Sequence, residues 1–391
     1  MRNIQKLFIT VFFGFCGIIG ILTLDNDIAK SDIEKRELSV FPDLKLKRLV
    51  EDRYLNNITN AFSDQVQFRG AFVQNNFKFL HNILNQNYLN TTVVGKENYL
   101  FREPEIISDW SAYETELKKC AELINKEAKK VREMNPDCKF IYINYPRKDL
   151  VMQKYLPSTY PSSVNDYKKA ISILKRNLSN DVIMIDAYEV FKRAGVQNEC
   201  YYRSDHHVNE IGQQEIYEEL MRVIQKYSKA KIPVYTLNDY NMREVMVAGS
   251  FDSQIGNILK NEKPKEFMIS SFKKNISFVR YDNGKKKDSR LFKKQNDYLT
   301  YMGGDIRETV IKTQNKDLPT VLYTGSSYTN LLETLTVPSV GKMIAVDYRY
   351  GQKEKTLPKY IKKYNVDYCI LVPNQSDQMF SYEALKTHLG K

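Results

Sequence analysis

Residues 320–330 read Thr-Val-Leu-Tyr-Thr-Gly-Ser-Ser-Tyr-Thr-Asn. They predict a short apolar strand, a tight turn at Gly325 and the polar start of a helix. A serine at such a turn has its hydroxyl exposed at the carboxyl edge of a sheet, and N–H groups at the helix start can hold a developing oxyanion. Turn statistics alone make Ser326 or Ser327 a helix cap more often than a nucleophile. A second stretch reverses that weighting. Residues 201–209 read Tyr-Tyr-Arg-Ser-Asp-His-His-Val-Asn and hold two of the chain's four histidines. Histidine changes charge near neutral pH, and a carboxylate beside it fixes its tautomer. Side chains alternate along an extended segment, which puts Asp205 and His207 on one side and His206 on the other. His207 is then the base and His206 a packing or supporting residue, with Asn209 capping the next helix.

A strand-then-helix rhythm surrounds both stretches. A long helix is expected over Trp110–Met134, a strand over Lys139–Asn144 and a helix near 164–178. A strand at Val182–Ile185 and a helix after Asn209 follow, then a strand at Thr320–Tyr323, a helix from Tyr328, and strands at Met343–Val346 and Asp367–Val372. Short apolar strands between amphipathic helices imply an α/β fold, a parallel sheet covered on both faces. Upstream, Leu44–Ala61 and Arg69–Asn85 have helical spacing. The chain therefore divides into a membrane anchor or signal segment (1–24), a helical stalk and lead-in (25–101), the first part of the α/β domain (102–231), a mixed β-containing insertion (232–316) and the second part (317–391).

Leu7 to Leu24 is 18 residues without a charge, about long enough to span a thin bilayer. No A-x-A-like cleavage site follows, which favours an uncleaved anchor with the rest of the chain outside the cytoplasm; secretion after cleavage is the rival reading. The formal charge of +12 favours anionic partners, but no nucleic-acid-binding motif accompanies it. Cys120, Cys138, Cys200 and Cys369 lie at wide, irregular spacings, so neither a zinc ribbon nor a dense disulfide framework is indicated. No metal site and no cofactor is expected, since adjacent imidazoles on a strand diverge. His81 sits in the helical lead-in, and His388 in a terminal helix without an acid two residues away.

These residues, taken in order, resemble the DHHW family of exported bacterial proteins, which is similar to the alginate O-acetylation proteins with an SGNH-hydrolase-like domain. Arg36-Glu37-Leu38 with Phe41-Pro42, Phe62-Ser63-Asp64 with Phe68-Arg69, and Gly95-Lys96 with Tyr99-Leu100-Phe101 carry the first part. Pro146-Arg147-Lys148, Leu156-Pro157, Asp205-His206-His207 and Gly249-Ser250-Phe251 continue it. Gly303-Gly304-Asp305, Ser327-Tyr328 and Asp347-Tyr348-Arg349-Tyr350 complete it. The resemblance implies an SGNH-like sheet with Ser327 as nucleophile, His207 as base and Asp205 as acid. Two positions depart from the family pattern: Val208 stands where Trp is usual, and Ser326 where Asp is usual.

Arg349 follows a strand and is a candidate for substrate or oxyanion binding, with a surface salt bridge as its plain alternative. Arg147 and Lys148 are candidates for the same rim, and Tyr328 for a supporting donor. The resemblance implies acetyl transfer to a cell-surface polysaccharide, alongside a multispanning membrane O-acyltransferase as donor. Transfer and ester hydrolysis stay open as alternatives. So does a catalytically silent polysaccharide-binding or scaffolding subunit, which the two departures and the basic surface motivate.

Overall fold

The computed structural model describes residues 2–34, 36–247, 249–259, 265–351, 356–373 and 379–391. Two compact units emerge, Met1–Thr92 with Ser250–Asn261, and Val93–Gly249 with Glu262–Lys391.

The larger unit is built on a sheet whose eight strands are, in chain order, β1 (Lys139–Asn144), β2 (Val182–Asp186), β3 (Phe278–Asp282), β4 (Lys285–Lys287), β5 (Glu308–Thr313), β6 (Thr320–Gly325), β7 (Lys342–Val346) and β8 (Tyr368–Val372). Their spatial order is β2-β1-β8-β6-β7-β5-β3-β4. Strands β2, β1, β8, β6 and β7 run parallel, with Leu322 of β6 opposite Cys369 and Ile344. From Val321 to Gly325 every residue of β6 is buried, as expected of a strand covered on both faces. Strands β5, β3 and β4 extend the sheet antiparallel. Chemistry and chain length decide that difference: parallel neighbours need a crossover helix, whereas β3 and β4 are joined by a two-residue turn. These last three strands lie within the 232–316 segment.

Helices Trp110–Met134 and Val164–Asn177 pack together, as do Glu210–Tyr227 and Asn330–Thr336. Asn209 caps Glu210–Tyr227, its side chain accepting from the Gly212 amide at 3.2 Å. The helix expected from Tyr328 begins instead with a single 3-10 turn, Ser327–Thr329, and becomes α-helical at Asn330. The cause is local. Ser326 caps the turn, its Oγ accepting from Tyr328 N at 3.5 Å and its carbonyl from Thr329 N at 3.0 Å.

In the smaller unit, helix Arg2–Leu24 is long and apolar enough to cross a membrane. The helix expected over Leu44–Ala61 starts only at Asp52 and runs to Gln65. Before it, the Tyr54 hydroxyl donates to Asp43 O and accepts from Lys45 N, which keeps that segment out of the α-helix, with only a 3-10 turn at Leu46–Arg48. The paired motifs of this region meet in space: Asp64 bonds Arg36 and the Ser39 amide, Phe41 packs edgewise on Phe62, and Arg69 pairs with Glu34.

Candidate active site

Strand β6 delivers Ser327 to the carboxyl end of the parallel strands, where open α/β sheets hold their ligands. The loop between helices Ala187–Ala194 and Glu210–Tyr227 delivers the acid and the imidazole. Asp205 Oδ1 accepts from His207 Nδ1 at 2.6 Å and from the His207 amide at 2.9 Å. On the other side of the ring, His207 Nε2 lies 2.8 Å from Ser327 Oγ. With Nδ1 protonated toward the carboxylate, Nε2 is left to accept the serine proton. Asp205 and His207 are both buried, so the bonds form away from competing water.

The loop is not extended, and this overturns the alternation expected of it. Tyr201 bridges Val208, and the Tyr202 amide reaches His207 O at 3.3 Å, closing a tight turn. His206 therefore does not point away. Its ring centroid lies 3.8 Å from that of His207, and its Nδ1 is 3.6 Å from Asp205 Oδ1. Burial, then the His207 ring, pull His206 down to about 3, favouring its neutral form. Asp205, His206 and His207 bring ligand atoms within 4.8 Å of one another. Both ring nitrogens of His207 are already engaged by Asp205 and Ser327, so a metal there would have to break that chain of bonds.

Two aromatic rings fix the imidazole. Tyr298 stacks flat on it, centroids 3.7 Å apart and planes 2° from parallel. Tyr328 lies tilted at 5.1 Å and its hydroxyl donates to His206 O at 3.1 Å, so it braces the loop. Tyr298 carries no local sequence signal, being one of 27 tyrosines in a stretch without periodicity.

Arg147 and Lys148, expected to line the rim for substrate, are instead buried supports. Arg147 Nε donates to Asp149 at 2.8 Å and its Nη2 to Glu103 O at 2.5 Å. Lys148 Nζ donates to the carbonyls of Leu100 (2.7 Å), Tyr202 (2.6 Å), Arg203 (2.7 Å) and Asp205 (3.2 Å). The physical reason is their position directly after β1, under the 202–205 loop rather than above it. Burial pushes the Lys148 ammonium down to about 7. Gly249 abuts the same loop: a Cβ there would fall 2.0 Å from Ser204 O.

Arg349 sits at the end of β7, with Nε 3.0 Å from Asp347 and Nη2 3.2 Å from Asp305. Asp305 also accepts from Asn330 Nδ2 at 3.0 Å. The arginine thus ties β7, the 303–306 turn and the helix after Ser327 together. Ser326 is buried below that contact, at a small hollow shared with Glu333 and Asp347. His388 is buried in helix Tyr382–His388, its carbonyl accepting from the Thr324 hydroxyl at 2.6 Å. His81 lies in the other unit, its Nδ1 3.1 Å from Gln86 O.

The chain has the fold of Bacillus cereus PatB1, at 19% identity and a TM-score of 0.60 over 76% of this chain and 99% of that one. PatB1 with a sulfonyl adduct aligns at 17% and 0.58, over 75% and 96%. A DHHW family protein from Eubacterium siraeum aligns at 19% and 0.55, over 72% and 93%. No curated protein matches the chain. Residues 92–304 match the ALGX family, described as SGNH hydrolase-like domain, acetyltransferase AlgX; the chain belongs to that family.

Proposed function

We propose, with membership of the AlgX-type SGNH hydrolase-like family as premise, that this chain is a serine O-acetyltransferase or acetylesterase of the cell envelope. Its N-terminal helix anchors it, its larger unit lies outside the cytoplasm, and its acceptor is a cell-surface polysaccharide. Ser327 is the nucleophile, His207 the general base and Asp205 the group that orients and charges the imidazole. One observation carries the reading: the hydrogen-bonded chain from Asp205 Oδ1 through His207 to Ser327 Oγ, at 2.6 Å and 2.8 Å.

The chemistry follows from that chain. Ser327 Oγ attacks the acetyl carbonyl carbon as its proton passes to His207 Nε2, and the carboxylate of Asp205 stabilises the imidazolium. The tetrahedral adduct collapses, the donor's leaving group takes the proton from His207, and acetyl-serine remains. A sugar hydroxyl then attacks the acetyl-serine carbonyl, giving its proton to His207. Collapse returns that proton to Ser327 and releases the acetylated sugar. Water in place of the sugar gives acetate. A multispanning membrane O-acyltransferase is the partner that would supply acetyl groups. The sulfonyl adduct on PatB1 makes a sulfonyl reagent the natural probe for this chain.

Turnover of a small acetyl ester tests the reading. Ser327→Ala and His207→Ala should each cut kcat by about 10⁴-fold or more, and Asp205→Asn by a comparable factor through the wrong tautomer. Turnover equal in Ser327→Ala and wild type would remove Ser327 from the mechanism. Polysaccharide binding with no turnover at all would leave the scaffolding role instead.

A further inference from the structure

We propose that the basic cleft between the β3–β4 hairpin and the 290–306 segment is a subsite for a polyanionic glycan. The proposal rests on the acetyl-transfer reading and gives the acceptor polymer its charge. The cleft holds about 810 Å³, and six cationic side chains line it against only Asp282 and Asp288. Neither carboxylate neutralises it. Asp282 is committed to Arg280 at 2.8 Å and to the Thr309 hydroxyl at 3.0 Å. Arg280 is itself buried, donating to Arg290 O at 2.6 Å and Met302 O at 2.5 Å; it builds the wall. Asp288 lies 3.7 Å from Arg290 with both side chains in solvent, a pair worth little.

Lys286, Lys287, Lys293 and Lys294 remain, with no ion-pair partner among the described residues. Gathering four ammonium groups at one concave mouth costs self-repulsion, which a bound polyanion relieves, and the low-dielectric walls concentrate their field. The floor differs in character. Leu291 is buried and Phe292 half-buried, the latter packed edgewise on Phe272 and Tyr301. Apolar surface for a sugar face under a cationic rim for its charges is the recognition pattern of an acidic saccharide. Gly303 keeps the mouth open: its φ is +77°, and a Cβ there would sit 3.2 Å from Lys293 Cε.

The cleft also adjoins a small hollow beside the turn that carries Ser327. Gly303 and Ile306 line the cleft, while Gly304 and Ile306 line the hollow that contains Ser326 and Asp347. Between them Asp305 holds Asn330 and Arg349. The 303–306 turn is therefore a shared wall between the lysine-lined cleft and the hollow beside the turn that carries Ser327.

The test is equilibrium binding to the detergent-solubilised full chain carrying Ser327→Ala, so that no chemistry intervenes. Polygalacturonate presents carboxylates, dextran sulfate presents sulfate esters, and dextran is neutral. At least one anionic polymer should bind and dextran should not; whichever binds identifies the charge type. Combined Lys286→Gln, Lys287→Gln, Lys293→Gln and Lys294→Gln should weaken binding by about tenfold or more, and added salt should weaken it further. Four equivalent changes on helix Trp110–Met134 (Lys118, Lys119, Lys126 and Lys129 to Gln) should weaken it by less than about threefold. The two lysine pairs made separately give the same direction should the fourfold variant fold poorly. Equal loss in both fourfold variants, binding of dextran, or binding of neither anionic polymer overturns the proposal. Lost binding counts against the cleft, whereas missing acetyl-serine in the wild type counts against the acyl-transfer reading alone.

Discussion

Tyr298 is the residue whose contribution is easiest to isolate. Its ring lies 3.7 Å from the His207 ring and parallel to it, and its hydroxyl accepts from the Leu331 amide at 3.3 Å. The stack limits rotation of the imidazole, so that Nε2 stays aimed at Ser327. Tyr298→Phe retains the ring and should keep most of the acetyl-ester kcat. Tyr298→Ala should lower kcat by roughly 10- to 100-fold with little change in KM, because positioning rather than binding is lost. Equal kcat in the alanine variant and the wild type would show the stack to be incidental. At this scale, residue type and local order made Asp205, His207 and Ser327 visible as candidates. Tyr298 was not visible at all, and Lys148 and His206, singled out for the rim and as a packing or supporting residue, owe their actual places to tertiary contacts.

Among elements, the 201–208 loop matters most, because it has no ladder of its own beyond one bridge. Lys148 replaces that ladder by binding four carbonyls, three of them in the loop. Lys148→Met leaves those oxygens buried without their donor, which should cost about 2 kcal/mol or more in denaturant unfolding and lower turnover as well. Unchanged stability in that variant would mean that water or a neighbour takes over the bonds. The helices and parallel strands were legible because burial on both faces writes continuous apolar runs such as Val321–Tyr323. Strands β3 to β5 were harder to read. Lys285–Lys287 is an exposed edge strand, and polar edge residues obscure strand periodicity.

For the molecule as a whole, pH dependence is set partly by buried acids. Burial raises Glu210 from 4.5 to about 7, although the hydroxyls of Tyr301 and Tyr202 donate to it. Glu333, beside the Ser326 hollow, is likewise raised to about 7 by burial. Between those two values the folded chain keeps a proton that the unfolded chain has lost, so stability falls as pH rises. Glu210→Gln should therefore gain on the wild type by roughly 2–3 kcal/mol between about pH 5 and about pH 8. A constant difference across that range would place the titration elsewhere. The α/β class, the covered parallel sheet and the apolar N-terminal helix belong to this scale too, and periodicity with run length sufficed for them. Intact-protein mass spectrometry of the entire chain after exposure to an activated acetyl ester reads whether Ser327 takes the acetyl group. Ser327 as nucleophile predicts one added acetyl group on the wild type, none on Ser327→Ala and little on His207→Ala. Equal acetylation of the wild type and Ser327→Ala would contradict it.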